Sequence, residues 1–268
     1  MFDTSSFYTL YDYLIEQHIL IKSNLKKVKN RFKNDHMHDY RVAVKRFRAI
    51  DRFLQYLFDR ETHKEYKKQL KHNFRHVGAV RDTRLKREWE KQIQKEAGNK
   101  SSLKILKMAL KKEEKQKQDN FLKLAAKIRK KSFNAYIEDI NKAYSNLPNN
   151  AIEKKLELYC NLTELEIDRI SKNPEISKWH EARKFIKTLS YLGEWVMNSP
   201  HNHIMEQYDF DKMKQLTNVL GDWHDSLLMY EYLQTNTALK VKEMKMLTIN
   251  LEAGMKKLES QVDWNYKK

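Results

Sequence analysis

Several scarcities bound this sequence before any motif is read. It has 5 Gly and 3 Pro in 268 residues. That is too little turn punctuation for an all-β sandwich or barrel, and it favours long helices. The single cysteine, Cys160, excludes an intramolecular disulfide and fits a reducing compartment. No stretch approaches the roughly 18 consecutive apolar residues of a membrane-spanning helix. The start, Met1-Phe2-Asp3-Thr4-Ser5-Ser6, lacks the basic-then-apolar pattern of a secretory signal. The expectation is a cytoplasmic protein with no membrane partner. G-x-x-x-x-G-K-[ST], G-x-G-x-x-G and C-x-x-C are all missing, as is the Glu-x-x-His pair of a di-iron bundle. No nucleophile–base arrangement can be read, so neither catalysis nor a cofactor is expected.

What the chain has in excess is positive charge. Lys and Arg number 53 against 36 Asp and Glu, a formal net charge of +17 with a pI near 9.6. Such a balance implies a polyanionic partner: nucleic acid, an anionic membrane or a phosphate polymer. One stretch concentrates the question, His38-Asp39-Tyr40-Arg41-Val42-Ala43-Val44-Lys45-Arg46-Phe47-Arg48-Ala49-Ile50-Asp51-Arg52. At about 100° per residue, His38, Arg41, Lys45, Arg48 and Arg52 fall within an arc of roughly 80°. Val42, Ala43, Phe47, Ile50, Phe53, Leu54 and Leu57 form a broad apolar arc beside it. A like-charged row at i,i+3/i+4 spacing weakens an isolated helix. Either acids from neighbouring helices neutralise it, or an anionic ligand does. Arg46 falls inside the apolar arc and needs a partner, for which Asp82 or Asp225 is a guess.

Apolar periodicity divides the chain into helices at 6–32, 36–59, about 61–77 and about 80–97. Lys64, Lys67, Lys68, Lys71 and Arg75 share one side of the third. Arg81, Arg84, Lys91 and Lys95, with Glu88 among them, share one side of the fourth. Gly78 is read as a break between these two, with Asp82 either capping a helix start or holding an arginine. A linker at 98–102 precedes a Lys-rich segment at 103–131, a helix to about 146 and a second linker at 147–150. Helices at 151–171, 174–198, 209–220, 223–235 and 237–260 follow, with a loop at 201–208 and Gly221 as a second break. No strand is expected, and the five tryptophans read as core.

The halves resemble each other. His180-Glu181-Ala182-Arg183-Lys184-Phe185-Ile186-Lys187 repeats the spacing of His38, Arg41 and Lys45, and Gly221-Asp222-Trp223-His224-Asp225 repeats Gly78-Ala79-Val80-Arg81-Asp82. The interval from His to Gly is 40 residues in the first half and 41 in the second. This predicts a duplicated unit, with halves at 1–147 and 151–268 each forming a bundle of about four helices. Their basic rows would face each other across a pseudo-twofold axis and line a groove or pore.

These signatures resemble the CHAD family. The resemblance is carried by His38-x-x-Arg41-Val42-x-x-Lys45-Arg46-x-Arg48, Val77-Gly78-Ala79-Val80-Arg81-Asp82, His180-x-x-Arg183-Lys184-x-x-Lys187-x-Leu189-x-Tyr191-x-x-Glu194 and Leu220-Gly221-x-x-His224-Asp225. It covers nearly the whole chain as a single CHAD-like domain. It implies two pseudo-symmetric four-helix bundles around a basic cavity, and binding of inorganic polyphosphate, often at polyphosphate granules. Some relatives also carry a triphosphate-tunnel enzyme with an E-x-E-x-K strand. Glu164-Leu165-Glu166 lacks the Lys and sits in a helical segment, so that domain is not expected.

On this basis the candidate polyphosphate-binding residues are His38, Arg41, Lys45, Arg48, Arg52, Lys71, Arg75, Arg81 and Arg84 in the first half. In the second half they are His180, Arg183, Lys184, Lys187, Lys214 and His224. Arg48 and Arg52 are matched by Ser190 and Glu194, so the first half is expected to contribute more contacts. The alternative for each cation is an ordinary solvated face. For His38 and His180 it is packing at a helix interface. His72 and His76 stand at i,i+4 with no acid beside them, so no metal site is expected. A nucleic-acid-binding helical protein, supported by the 103–131 segment, is the second reading. An enzyme of phosphate-chain metabolism is the third. Oligomeric state is left open.

Overall fold

The computed structural model describes residues 4–97, 102–148, 150–172, 178–235 and 241–268. These form the α-helices α1 (Thr4–Asn30), α2 (Asn34–Phe58), α3 (Lys64–Ala97), α4 (Ser102–Leu124), α5 (Lys130–Tyr144), α6 (Ala151–Lys172), α7 (Trp179–Val196), α8 (Phe210–Thr235) and α9 (Val241–Glu259). A 3₁₀ turn at Asn202–Met205 lies between α7 and α8. Among the described residues there is no strand, only an isolated bridge between Tyr208 and Lys267. The fold is all-α, and no described helix is long and apolar enough to cross a membrane.

Periodicity explains α2 well. Met37, Tyr40, Ala43, Val44, Phe47, Ile50, Phe53, Leu54 and Leu57 are buried, the spacing of one helix face turned inward. The helix ends at Asp59, a non-glycine residue in the left-handed region (φ 51°), whose own amide donates to the Tyr56 carbonyl while that of Arg60 donates to the Gln55 carbonyl.

The breaks expected at Gly78 and Gly221 do not occur. α3 and α8 run through them without interruption. One glycine inside a helix costs only about 1 kcal/mol relative to alanine. Gly78 lies between buried Val77 and Val80, and Gly221 between buried Leu220 and Trp223, so packing on both sides offsets that cost. Asp82 and Asp225 therefore sit mid-helix and cannot cap. Of the linker expected at 98–102, residues 98–101 lie outside the described residues and Ser102 begins α4; the helix start expected at Asn173-Pro174 also lies outside them.

The chain forms two compact units, and each draws on both halves of the sequence. Unit 1 takes the chain to Phe74, then Ala126–Thr217 and Trp264–Lys268; unit 2 takes Arg75–Ala125 and Asn218–Asp263. Within unit 1, α1 packs along α2, and α7 packs on both α2 and α6. Its core includes an aromatic cluster of Phe47, Tyr66, Phe133 and Tyr136, with the His18 ring stacked 4.0 Å from Phe133. Buried Asp51 accepts hydrogen bonds from Thr62 (2.5 Å), Gln55 (2.7 Å) and Tyr136 (3.0 Å). The C-terminal residues are tied down by Lys267 on Glu164 (2.6 Å) and by Trp264 edge-on to Trp179. Unit 2 is built on Leu106, Leu110, Met229, Leu233, Leu247 and Leu251, with Trp89, Tyr230 and Tyr232 packed against them.

Candidate functional site

The basic row of α2 meets an aromatic ring. The guanidinium carbons of Arg41 and Arg48 each lie 4.3 Å from the centroid of Phe74 on α3. They are two turns apart on α2, so a single ring holds both heads. Arg41, Lys45 and Arg48 are half-buried, whereas His38 and Arg52 are exposed. Burial lowers the pKa of Arg48, and neighbouring Arg52 pushes the same way against Tyr40 and Asp51. The Tyr40 hydroxyl is buried beside the row without a hydrogen-bond partner, and burial raises its pKa.

Helix α7 carries the second signature and packs antiparallel to α2. Arg46 pairs with Glu194 through both ends of its fork, Nη2 to Oε1 at 3.0 Å and Nε to Oε2 at 2.7 Å. Arg52 donates to Thr188 Oγ1 at 3.4 Å. The number rises on α2 as it falls on α7, which fixes the direction. Glu194 also accepts from Tyr13 at 3.2 Å; burial and that carboxylate both raise the tyrosine's pKa. The partner of Arg46 is thus Glu194 and neither of the aspartates suggested by the sequence. The pairing joins residues 148 apart in the chain, which no local pattern can announce.

Two clefts in unit 1 bring sequence-predicted cations together. The first, about 480 Å³, holds Arg52 of α2 and Lys184 of α7 among Tyr56, Tyr159, Glu166 and Glu181. The second, about 350 Å³, holds Lys187 of α7 and Lys214 of α8 with Ser190 and Glu194 at its wall. Arg183 is fixed beside it, its Nε donating to the Thr217 carbonyl at 3.0 Å. His180 is half-buried and Lys71 is exposed. In each cleft the two cations face hydroxyls and rings together with carboxylates, Glu166 and Glu181 in the first and Glu194 in the second.

In unit 2 the sequence-predicted cations meet acids. Arg81 reaches Asp225 at 3.2 Å and Asp82 at 3.4 Å, so these aspartates hold an arginine, the second of the two roles considered for them. Arg84 and Arg87 both bind Glu114 of α4, Arg84 Nε at 2.9 Å. Burial alone would raise the pKa of Glu114, but the two guanidiniums more than offset it and the net shift is downward. Arg75 is exposed and His224 half-buried. Sequence reasoning missed Phe74, which looks like any other apolar-stripe residue, and the anchoring roles of Thr188 and Thr217. The acid on the basic row, Glu194, was the one available signal.

Among the described residues, one group of three metal-ligating side chains has its ligand atoms within 4.8 Å of one another: Glu153, Glu157 and His203. No curated protein matches the chain. The family profile of the CHAD domain matches residues 13–234, from within α1 to the end of α8. That span covers most of the chain and includes every candidate polyphosphate-binding residue, and the protein therefore belongs to the CHAD family.

Proposed function

We propose that the protein binds inorganic polyphosphate without turning it over, working at polyphosphate granules. Such a polymer is flexible and charged at every phosphate, with no base to read and no ring to stack on. A site for it needs cationic donors spread along a surface, with Arg forks clasping oxygens and Lys acting as point charges. The observation that carries the reading is the pair of clefts in unit 1. Each gathers two cations from different helices, Arg52 with Lys184 and Lys187 with Lys214. The fixed heads of Arg41 and Arg48 on Phe74 extend the row.

The reading includes an internal duplication, which the contacts support through their reciprocity. Aligning His38 with His180 pairs Arg46 with Thr188 and Arg52 with Glu194. The bonds observed run from Arg46 to Glu194 and from Arg52 to Thr188, the exchange of partners expected about a twofold axis. Arg41 on Phe74 likewise corresponds to Arg183 on Thr217 once Gly78 is aligned with Gly221. Such an axis places both basic rows on the same face of the α2–α7 pair.

The test is binding of long polyphosphate, tripolyphosphate, DNA and RNA at physiological ionic strength. Long polyphosphate is expected to bind tightest, with affinity falling steeply with salt by analogy with counterion release, and without phosphate release in the presence of magnesium. Reversing Arg41 and Lys45 to Glu should abolish binding, and reversals of the lysines in the Lys111–Lys117 run should weaken it less. DNA or RNA binding as tightly as polyphosphate would favour the nucleic-acid reading. Equal losses from both sets of reversals would mean diffuse attraction without a site.

A further inference from the structure

Unit 1 contains a cleft whose lining a phosphate polymer does not account for. It lies between α1 and α5 and has a volume of about 670 Å³, within the range of small-molecule sites. Its floor is apolar, with Ile15 and Ile19 from α1 and Phe133 and Ile137 from α5. Ile19 is 59% exposed, so part of that floor stands open to a ligand.

A buried polar ring lines the same cleft with one edge unused. His18 is only 7% exposed. Its ring stacks on Phe133 at 4.0 Å, and its Nδ1 lies 2.9 Å from the Tyr66 hydroxyl. These two contacts fix the ring. Nε2, on the edge away from Tyr66, has no partner among the described residues. Burial raises the pKa of Tyr66, so its hydroxyl keeps the proton it donates to Nδ1. The neutral imidazole then carries its own proton on Nε2 and presents an N–H donor to the cleft.

Two amines stand at the same end. Lys22 on α1 and Lys130 on α5 line the cleft, are exposed, and form no ion pair among the described residues. Burial and then these two charges lower the pKa of His18 to about 4, so both lysines act on that ring. The one acid of the lining, Glu138, stands about 12 Å from Lys130 along α5 at 1.5 Å per residue. The cleft is therefore polarised. Two unpaired cations and an N–H donor occupy one end, and an apolar floor leads away from them.

We propose that this α1–α5 cleft binds an amphipathic carboxylate, of the class of a medium-chain fatty acid. Its head group lies on Lys22 and Lys130 and accepts from His18 Nε2. Its chain lies over Ile19, Ile15, Phe133 and Ile137. A phosphate polymer would leave the apolar floor uncovered, and a neutral hydrocarbon would leave the amines and the histidine unused. None of these residues belongs to the row assigned to polyphosphate.

The experiment is calorimetric titration of the full chain with decanoate, below its micelle-forming concentration and at physiological ionic strength. One saturable site per chain is expected, with helical circular dichroism unchanged. Each methylene added from hexanoate to decanoate should strengthen binding by up to about fourfold, the contribution of one buried methylene. Lys22→Gln and Lys130→Gln should each weaken decanoate by about threefold, as for an exposed ion pair, and together by roughly tenfold if their effects add. Decanol, with the same chain and no charge, should bind the wild type as weakly as decanoate binds that double variant. The Nε2 resonance of His18, identified by its loss in His18→Gln, should shift as decanoate binds. Ile19→Ser should weaken decanoate by about tenfold. It changes no charge, so it should leave polyphosphate affinity at the wild-type value, and this proposal and the polyphosphate reading fail separately. The proposal is overturned by an absence of saturable binding, by decanol binding as tightly as decanoate, or by an unmoved His18 resonance. It is also overturned by a double lysine variant that binds as wild type does, or if long polyphosphate displaces decanoate. A Glu-rich amphipathic peptide that binds the cleft more tightly than decanoate would overturn it in favour of a partner helix.

Discussion

Replacing Phe74 with Leu separates the placement of charge from its amount. The ring holds the guanidiniums of Arg41 and Arg48, each 4.3 Å from its centroid. A guanidinium on an aromatic face contributes about 0.5–1 kcal/mol at a partly exposed site. Losing both contacts removes about 1–2 kcal/mol of ordering, since a free Arg side chain regains rotamer entropy that binding must then remove. If the ordered heads meet the polymer, affinity falls about five- to thirtyfold. Net charge is unchanged, so the slope of log affinity against log salt should stay the same. Arg41→Gln or Arg48→Gln should instead make that slope shallower by about one per lost phosphate contact. Anisotropy of labelled long polyphosphate across a salt series reads both quantities, and Phe74→Tyr should recover most of the affinity. Wild-type affinity in Phe74→Leu would refute the positioning role. So would a loss accompanied by a shallower slope, because that would mean contacts had vanished altogether.

Three further outcomes follow from the ionisable groups. Glu114→Gln leaves Arg84 and Arg87, 18% and 24% exposed, without their shared carboxylate; a cost of about 3 kcal/mol is expected in the denaturant midpoint, and a loss below about 1 kcal/mol would mean solvent serves the two arginines equally well. Burial, followed by Lys22 and Lys130, lowers His18 to about 4, and its Nδ1 lies 2.9 Å from the Tyr66 hydroxyl. The unfolded chain takes up that proton first, so His18 contributes fully above pH 6.5 and its contribution is lost as pH falls from 6.5 towards 4. Thermal midpoints measured between pH 7.5 and 5 should decline, and His18→Gln should flatten the decline; an unchanged slope in the variant would assign the effect elsewhere. Arg46→Met strips Glu194 of its fork and should weaken polyphosphate binding although Arg46 is outside the proposed row, and adding Glu194→Gln should restore binding. A double variant as weak as the single one would show that Arg46 acts by contact.

Much of the fold is legible because helical burial is periodic. The apolar arc read on α2 is buried in the structure, with only Val42 half-exposed. The basic row emerges from the same geometry, since what is not turned inward at a 3.6-residue period must lie on an adjoining strip. The failures come from places where local chemistry and packing disagree. Glycine is a helix terminator only when nothing holds the helix on either side, and Val77, Val80, Leu220 and Trp223 are all buried. Knowing that Arg46 needs a partner is a local inference; knowing that it is Glu194 requires the α2–α7 packing. Phe74 was hidden for the opposite reason, because a phenylalanine on an apolar stripe satisfies every sequence expectation before its ring meets two arginines.

On the proposed reading the two signatures divide the labour between charge and room. At the first, Arg48 stands where the second has Ser190, and its head fills the space over Phe74. Ser190 turns its hydroxyl back to the Ile186 carbonyl at 3.0 Å, and the space beside it is the 350 Å³ cleft with Lys187 and Lys214. A phosphate entering that cleft also meets Glu194, which would repel it. Arg46 answers that repulsion, binding the carboxylate through two of its nitrogens from the neighbouring helix. The arginine left off the basic row by its angle on α2 is therefore what makes the second cleft tolerable to an anion. The inequality of the two signatures then has a physical sense. One presents guanidiniums already fixed in place, and the other presents a lined and neutralised space for the polymer to enter.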